Sequence, residues 1–176
     1  VKPLGPIAYI LEARTTLLRD LGAAMSPFNA FMFIQGLETL ALRMKEHSKN
    51  GAMVAEFLQN HPKVERVSHP SVADGFKKER ADNYLNGGCG GLMGFEIKGG
   101  LESGKKFIES LEMFYHVANI GDSKSLAIHP ASTTHSQLNE EELLSGGVSP
   151  GYIRLSIGLE HIDDILEDLG NALDNS

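Results

Sequence analysis

The sequence is short of three things, and each shortage removes a class of protein. It holds one cysteine, Cys89, among 176 residues, so no internal disulfide can form; a disulfide-stapled scaffold is excluded and a cytoplasmic setting is the economical expectation, although one thiol alone is also compatible with export. No stretch approaches the roughly 18–20 consecutive apolar residues of a membrane-spanning helix, and Val1 opens no charged-then-apolar leader. Positive charge is in deficit: 16 Lys plus Arg against 23 Asp plus Glu leave a formal charge of −7, the wrong sign for affinity gained by neutralising phosphates. Neither nucleic acid nor an anionic membrane surface is an expected partner.

What is present suffices for a core. With 41% hydrophobic and 22% charged residues the chain is neither disordered nor a low-complexity polymer, and its length fits one domain with an appendage. It begins on Val1, not Met, and runs at once into Pro3, Gly5 and Pro6, which reads as the interior of something longer. Ile7, Ile10, Leu11, Leu17, Leu18 and Leu21 recur at helical spacing and predict a helix over 7–21, closed by Gly22. Ser26-Pro27 predicts an N-cap and first-turn proline opening a second helix that meets no further proline before Pro62. Its first half, Phe28 to Leu42, is apolar on nearly every side; its second, Arg43 to Asn60, is amphipathic. Such a helix should be buried between two bodies first and lie on one surface later.

Beyond Pro62 the pattern changes to short strands and single helices. Strands are predicted at 64–69, 91–97 and 152–157, with 115–120 and 125–128 extended, and helices at 102–114, 140–144 and 162–173. The uneven connections argue against repeated parallel crossovers, so the fold class is α+β: a mostly antiparallel sheet covered by helices. The division expected is a helical segment over residues 1–60 and an α+β domain over 61–176.

Most chemical signals reduce to structural ones. Asn86-Gly-Gly-Cys-Gly-Gly91 lacks the lysine of a phosphate loop and the spacing of a dinucleotide fingerprint, and reads as a loop before a strand. Nothing local lowers the pKa of Cys89 toward a nucleophilic thiolate; a hydrolase or transferase built on it would need a histidine within reach of the sulfur. The histidines show no metal-site spacing. Asp163, Asp164, Glu167 and Asp168 open the last helix, where carboxylates suit the dipole and water. Two features resist this reduction. Asn119-Ile-Gly-Asp-Ser-Lys-Ser-Leu126 is a polar turn between apolar stretches. In Tyr152-Ile-Arg-Leu-Ser-Ile-Gly158, Arg154 shares a face with Tyr152 and Ser156, either facing water or presenting a planar fork to a substrate carboxylate.

Asn119-Ile-Gly-Asp-Ser-Lys-Ser-Leu-Ala-Ile-His-Pro-Ala-Ser-Thr-Thr-His-Ser-Gln-Leu138 followed by Ile153-Arg-Leu-Ser-Ile-Gly-Leu-Glu-His-Ile-Asp-Asp164 resembles the C-terminal signature of the Cys/Met-metabolism pyridoxal-phosphate enzymes. Leu18-Leu-Arg-Asp-Leu-Gly-Ala-Ala-Met-Ser-Pro-Phe-Asn-Ala30 and Gln35-Gly-Leu-Glu-Thr-Leu-Ala-Leu-Arg-Met44 are similar to the same enzymes. Lys124, where the cystathionine synthases and lyases and methionine γ-lyase tend to carry glutamate, and His116-Val-Ala-Asn-Ile-Gly121 favour the O-acetylhomoserine sulfhydrylase branch.

The resemblance implies the small C-terminal domain of a fold-type-I pyridoxal-phosphate transferase, preceded by a long inter-domain helix. It implies γ-replacement: O-acetylhomoserine plus sulfide or a thiol gives homocysteine or methionine plus acetate. It implies Arg154 as the ligand of the amino-acid α-carboxylate, with Ser125 beside it orienting the carboxylate or the lysine. The Schiff-base lysine and the rest of the cofactor site match nothing in this chain, so no catalytic or cofactor-binding residue is assigned and the chain alone is expected to be inactive. Pyridoxal 5'-phosphate would be held by a large domain, and the intact protein would be a homo-oligomer, a tetramer by family. The alternatives are a related cystathionine synthase or lyase, methionine γ-lyase, or a non-catalytic amino-acid-binding or assembly module; exposed apolar surface on the helix from Phe28 to Leu42 would favour the enzyme part.

Overall fold

The computed structural model describes residues 5–176; Val1 and Pro3, part of the expectation about the start of the chain, lie outside the described residues. The chain divides into two compact units, one ending at Leu40 and one spanning Ala41–Ser176.

The first unit is helical. α1 (Ala8–Glu12) continues through a π-helical stretch, Ala13–Leu18, into α2 (Arg19–Leu21), and Gly22 ends it in the left-handed conformation at φ 67°. Ser26 caps α3 (Pro27–Glu38), its hydroxyl accepting from the Asn29 amide at 3.1 Å. No residue of α3 is buried: Phe28, Phe31, Phe33 and Leu37 are all more than half exposed. Helical bonding breaks at Thr39 (φ −103°, ψ 4°) before α4 (Leu40–Gln59) begins, where the sequence alone suggested one continuous helix. The break falls on a β-branched residue of low helix propensity, next to the change from all-round apolar to amphipathic character.

The second unit is a five-stranded sheet with helices over one face. Its strands are β1 (Val64–Ser68), β2 (Leu92–Ile97), β3 (Tyr115–His116), β4 (Leu126–Ile128) and β5 (Tyr152–Ser156). They are ordered β1-β2-β5-β4-β3, and every pairing except β3 with β4 is antiparallel. Alternation decides the faces. Met93, Phe95 and Ile97 of β2 meet Ile153, Leu155 and Ile157 in a core closed by Val54 and Leu58 of α4, Phe107 of α6 (Gly100–Ser110), and Ile165, Leu169 and Leu173 of α8 (Ile162–Asp174). Phe95 and Phe107 pack edge to face at 5.4 Å, a contact worth roughly 0.5–1.5 kcal/mol beyond the area it buries.

Two departures from the expected elements have local causes. α5 (Gly75–Tyr84) went unpredicted because its Phe-Lys-Lys-Glu-Arg-Ala-Asp-Asn core has no apolar stripe. α6 stops at Ser110 instead of running to Phe114, because the Glu112 and Met113 amides donate to the Asp168 carboxylate on α8 at 2.9 and 3.0 Å. Asp168 is therefore buried, unlike Asp163 and Asp164 in the exposed first turn. α7 (Glu140–Ser145) carries a capping box between Asn139 and Glu142. Among the described residues no helix is long and apolar enough to cross a membrane.

Candidate functional site

The face of β5 opposite the core carries Tyr152, Arg154 and Ser156. Arg154 stands between Gly94 of β2 and Ile128 of β4 in the ladder and is half-buried. Its Nη2 donates to the Ala118 carbonyl at 2.8 Å and, at the outer limit of a bond, to the Asn119 carbonyl at 3.5 Å. The ion pairs of the described residues all lie elsewhere, the nearest in the sheet being Arg66 with Glu96. Arg154 is thus a cation steadied by backbone oxygens, with the rest of its five-donor fork uncommitted to any carboxylate.

Those carbonyls belong to a turn tied along its length to one short segment. Gly121 donates its amide to the Ser156 hydroxyl at 2.9 Å, and the Leu159 amide donates to the Ser123 carbonyl at 2.8 Å. Asp122 braces the turn from inside by accepting from the Lys124 amide at 3.0 Å, the bond of an Asx-turn. Asn119, Ile120, Asp122 and Lys124 remain exposed.

Ser125, at the far end of this turn, is fully buried. Its amide and hydroxyl both donate to the Glu160 carboxylate, at 2.6 and 2.9 Å, while the hydroxyl accepts from the Gly158 amide at 2.9 Å. Its proton is therefore spoken for and one lone pair remains. With Arg154 opposite Ile128, Ser125 lies three residues along the ladder, roughly 10 Å away at the usual strand rise. Arg154 and the turn are brought together directly; Ser125 joins them through the turn. Glu160 carried no role in the sequence reading, since its partner is 35 residues distant and no periodic signal links the two.

The remaining candidates are occupied structurally. In the glycine loop, Gly88 and Gly90 take positive φ; the Gly90 amide donates to Ser48 Oγ at 3.1 Å and its carbonyl accepts from His69 Nε2 at 3.2 Å. His47 donates from Nδ1 to the Ile157 carbonyl at 2.7 Å. The histidines beside the Cys89 loop are therefore engaged by backbone. His129 is buried between Ser132 Oγ (2.9 Å) and the Pro150 carbonyl (2.8 Å). Burial holds the pKa of both His69 and His129 below the usual imidazole value, against the opposing pull of their carbonyl bonds. Lys124 donates to the Tyr115 hydroxyl at 3.0 Å, which raises its pKa. Clefts of about 910 and 590 Å³ open beside β1 and beside the start of α6; neither is lined by Arg154 or Ser125.

A pyridoxal-phosphate site needs a lysine held out of bulk water and a cluster of free donors for the phosphate. Every lysine among the described residues is exposed or half-exposed, and the Gly90 amide is taken by Ser48. Residues 5–176 do not by themselves fit the cofactor.

The sequence model of a family described as Cys/Met metabolism PLP-dependent enzyme matches residues 8–174. The chain is 59% identical over 170 residues to an O-acetyl-L-homoserine sulfhydrylase of Leptospira meyeri, covering 96% of this chain and 38% of the relative. It is 44% identical to a homocysteine synthase of Schizosaccharomyces pombe, covering 97% and 40%. A crystal structure of a Campylobacter jejuni protein described as O-acetylhomoserine (thiol)-lyase, which carries an N'-pyridoxyl-lysine-5'-monophosphate at its position 205, superposes with a TM-score of 0.85 at 46% identity, over 96% of this chain and 40% of that one. The chain spans about two fifths of the length of the curated relatives it matches.

Proposed function

Because the chain belongs to the Cys/Met-metabolism pyridoxal-phosphate-dependent enzyme family, we propose that it is the part of an O-acetylhomoserine sulfhydrylase that grips the α-carboxylate of the amino-acid substrate. The intact enzyme converts O-acetylhomoserine and sulfide, or a thiol, to homocysteine or methionine and acetate. It works in the cytoplasm as a tetramer, and the cofactor is held by residues outside 5–176. Residues 1–60 lead to the cofactor-binding domain and 61–176 form the small domain.

The observation that carries this reading is the state of Arg154: half-buried, oriented by two carbonyls, and without an acidic partner among the described residues. A guanidinium fixed in this way presents parallel N–H donors to a planar carboxylate before the substrate arrives, so little side-chain freedom is lost on binding. The turn around Asn119 forms the neighbouring wall. Ser125 acts from beneath it, and its free lone pair suits an N–H donor, an amine or a lysine, better than a carboxylate. The exposed apolar surface of α3, including Phe28, Phe31, Met32 and Phe33, supports an enzyme part over an independent binding module, since isolated domains seldom leave such a stripe in water.

Steady-state kinetics of Arg154→Ala in the full-length protein tests the reading. Loss of a charge-assisted fork should lower kcat/KM for O-acetylhomoserine tenfold or more, about 1.5–3 kcal/mol. Kinetics equal to wild type would overturn it.

A further inference from the structure

We propose that Glu160 is the positioning residue of the carboxylate grip, holding the turn from 118 to 125 in the form that aims Arg154; this rests on the reading of Arg154 given above.

Apart from the bonds of Ser125 and Lys124 to Tyr115 on β3, the ties between this turn and the sheet run to residues 154–160. The cation at the start of that segment takes the carbonyls of Ala118 and Asn119. The anion at its end takes the amide and hydroxyl of Ser125 with both carboxylate oxygens. Between them lie two single neutral bonds, the Gly121 amide donating to the Ser156 hydroxyl and the Leu159 amide donating to the Ser123 carbonyl. Against this segment the turn is therefore stretched between two charged side chains, Arg154 meeting two carbonyls and Glu160 meeting an amide and a hydroxyl. Bonds to charged groups are about twice as strong as neutral ones, so the two ends dominate its placement. Releasing the Ser125 end lets the carbonyls of Ala118 and Asn119 drift from the guanidinium they orient.

Glu160 is itself fixed. Its carbonyl and that of Gly158 accept from Asn50 Nδ2 on α4 at 3.0 and 3.2 Å, and Asn50 is fully buried. Residue 158 has no room for a side chain: a Cβ there would meet the Glu160 carboxylate and stand 2.5 Å from the Ser123 carbonyl. The carboxylate is thus pressed against the turn with no slack.

The test compares Glu160→Gln, Ser125→Ala, Arg154→Ala and the Glu160→Gln/Arg154→Ala double variant in the full-length holoenzyme. KM for O-acetylhomoserine, KM for sulfide and Tm are the readouts. Glutamine removes the charge and one of the two acceptor oxygens that Ser125 uses, weakening both bonds, so Glu160→Gln should raise KM for O-acetylhomoserine about tenfold and leave KM for sulfide unchanged. Ser125→Ala removes one of the two bonds to Glu160 and the acceptor of the Gly158 amide and should raise the same KM about threefold. If Glu160→Gln does not fold, Ser125→Ala made on the Arg154→Ala background decides the matter, since positioning through Arg154 then leaves KM for O-acetylhomoserine almost unmoved and a full threefold rise overturns it. On an Arg154→Ala background the Glu160 change should add less than about twofold, because the group it positions is gone. If Glu160→Gln lowers only Tm, or its effect multiplies fully with that of Arg154→Ala, the positioning role is overturned while the carboxylate reading stands. If Arg154→Ala itself leaves KM unchanged, the carboxylate reading fails first.

Discussion

The ring of Tyr152 lies across Gly94 on the neighbouring strand, with two ring carbons 2.5 Å from where a Cβ on residue 94 would stand and the hydroxyl closer still. Gly94 is also the ladder partner of Arg154, so the missing side chain lets the tyrosine lie flat beside the arginine. Gly94→Ala should swing Tyr152 off the sheet and, because only the far end of that half-buried side chain has to move, destabilise the fold by about 0.5–1.5 kcal/mol. Urea denaturation of the purified variant measures this; an unchanged midpoint would mean the tyrosine is free to move at no cost.

Asp168 sits on the last helix but serves the end of α6. Asp168→Ala leaves the Glu112 and Met113 amides without their acceptor and should cost about 2–3 kcal/mol, with Asp168→Asn intermediate because one acceptor oxygen remains. A loss under about 0.5 kcal/mol in chemical denaturation, the size of an ordinary surface change, would return Asp168 to the solvated face.

His69 and His129 are held in the neutral form by burial, so their folded pKa values are depressed. The unfolded chain then binds protons more readily than the folded one as pH drops below the ordinary histidine value near 6.5. Stability should be fully present above about pH 6.5 and decline as pH falls from there through the folded pKa values, by at most about 1.4 kcal/mol per pH unit for each histidine. Urea midpoints at a series of pH values from 8 to 5 follow the decline. His129→Gln should flatten it, and an equal slope in that variant would show that His129 is not a source.

The exposed apolar residues of α3 predict the behaviour of the 176-residue chain expressed alone. It should self-associate, and replacing Phe31 and Phe33 by serine should shift it toward monomer in analytical ultracentrifugation, because contiguous apolar surface in water drives association. Added pyridoxal phosphate should produce neither cofactor absorbance nor sulfhydrylase activity, and either one would place the cofactor site within this chain.

Whatever depended on neighbours in sequence could be read directly. Alternation separated Ile153, Leu155 and Ile157 from Tyr152, Arg154 and Ser156; Ser26 and Gly22 marked helix ends; the motif from Asn119 to Asp164 identified the family. These signals are local because strand pleat, helix caps and positive backbone angles are decided within a few residues. α5 escaped because a helix with no apolar stripe has no period to detect. Asp168 was misjudged because an acidic residue near a helix start already has a sufficient local explanation, and its true partners lie 55 and 56 residues back.

The sequence by itself determined the fold class and the family, and singled out Arg154 as a candidate. Only the tertiary structure decided that Ser125 gives its proton to Glu160, that the turn meets Glu160 and Arg154, and that Arg154 has no acidic partner among the described residues. Hydrogen bonds across 35 residues leave no periodic trace along the chain. They exist only once β4 and β5 pair and bring the turn against the segment that holds it.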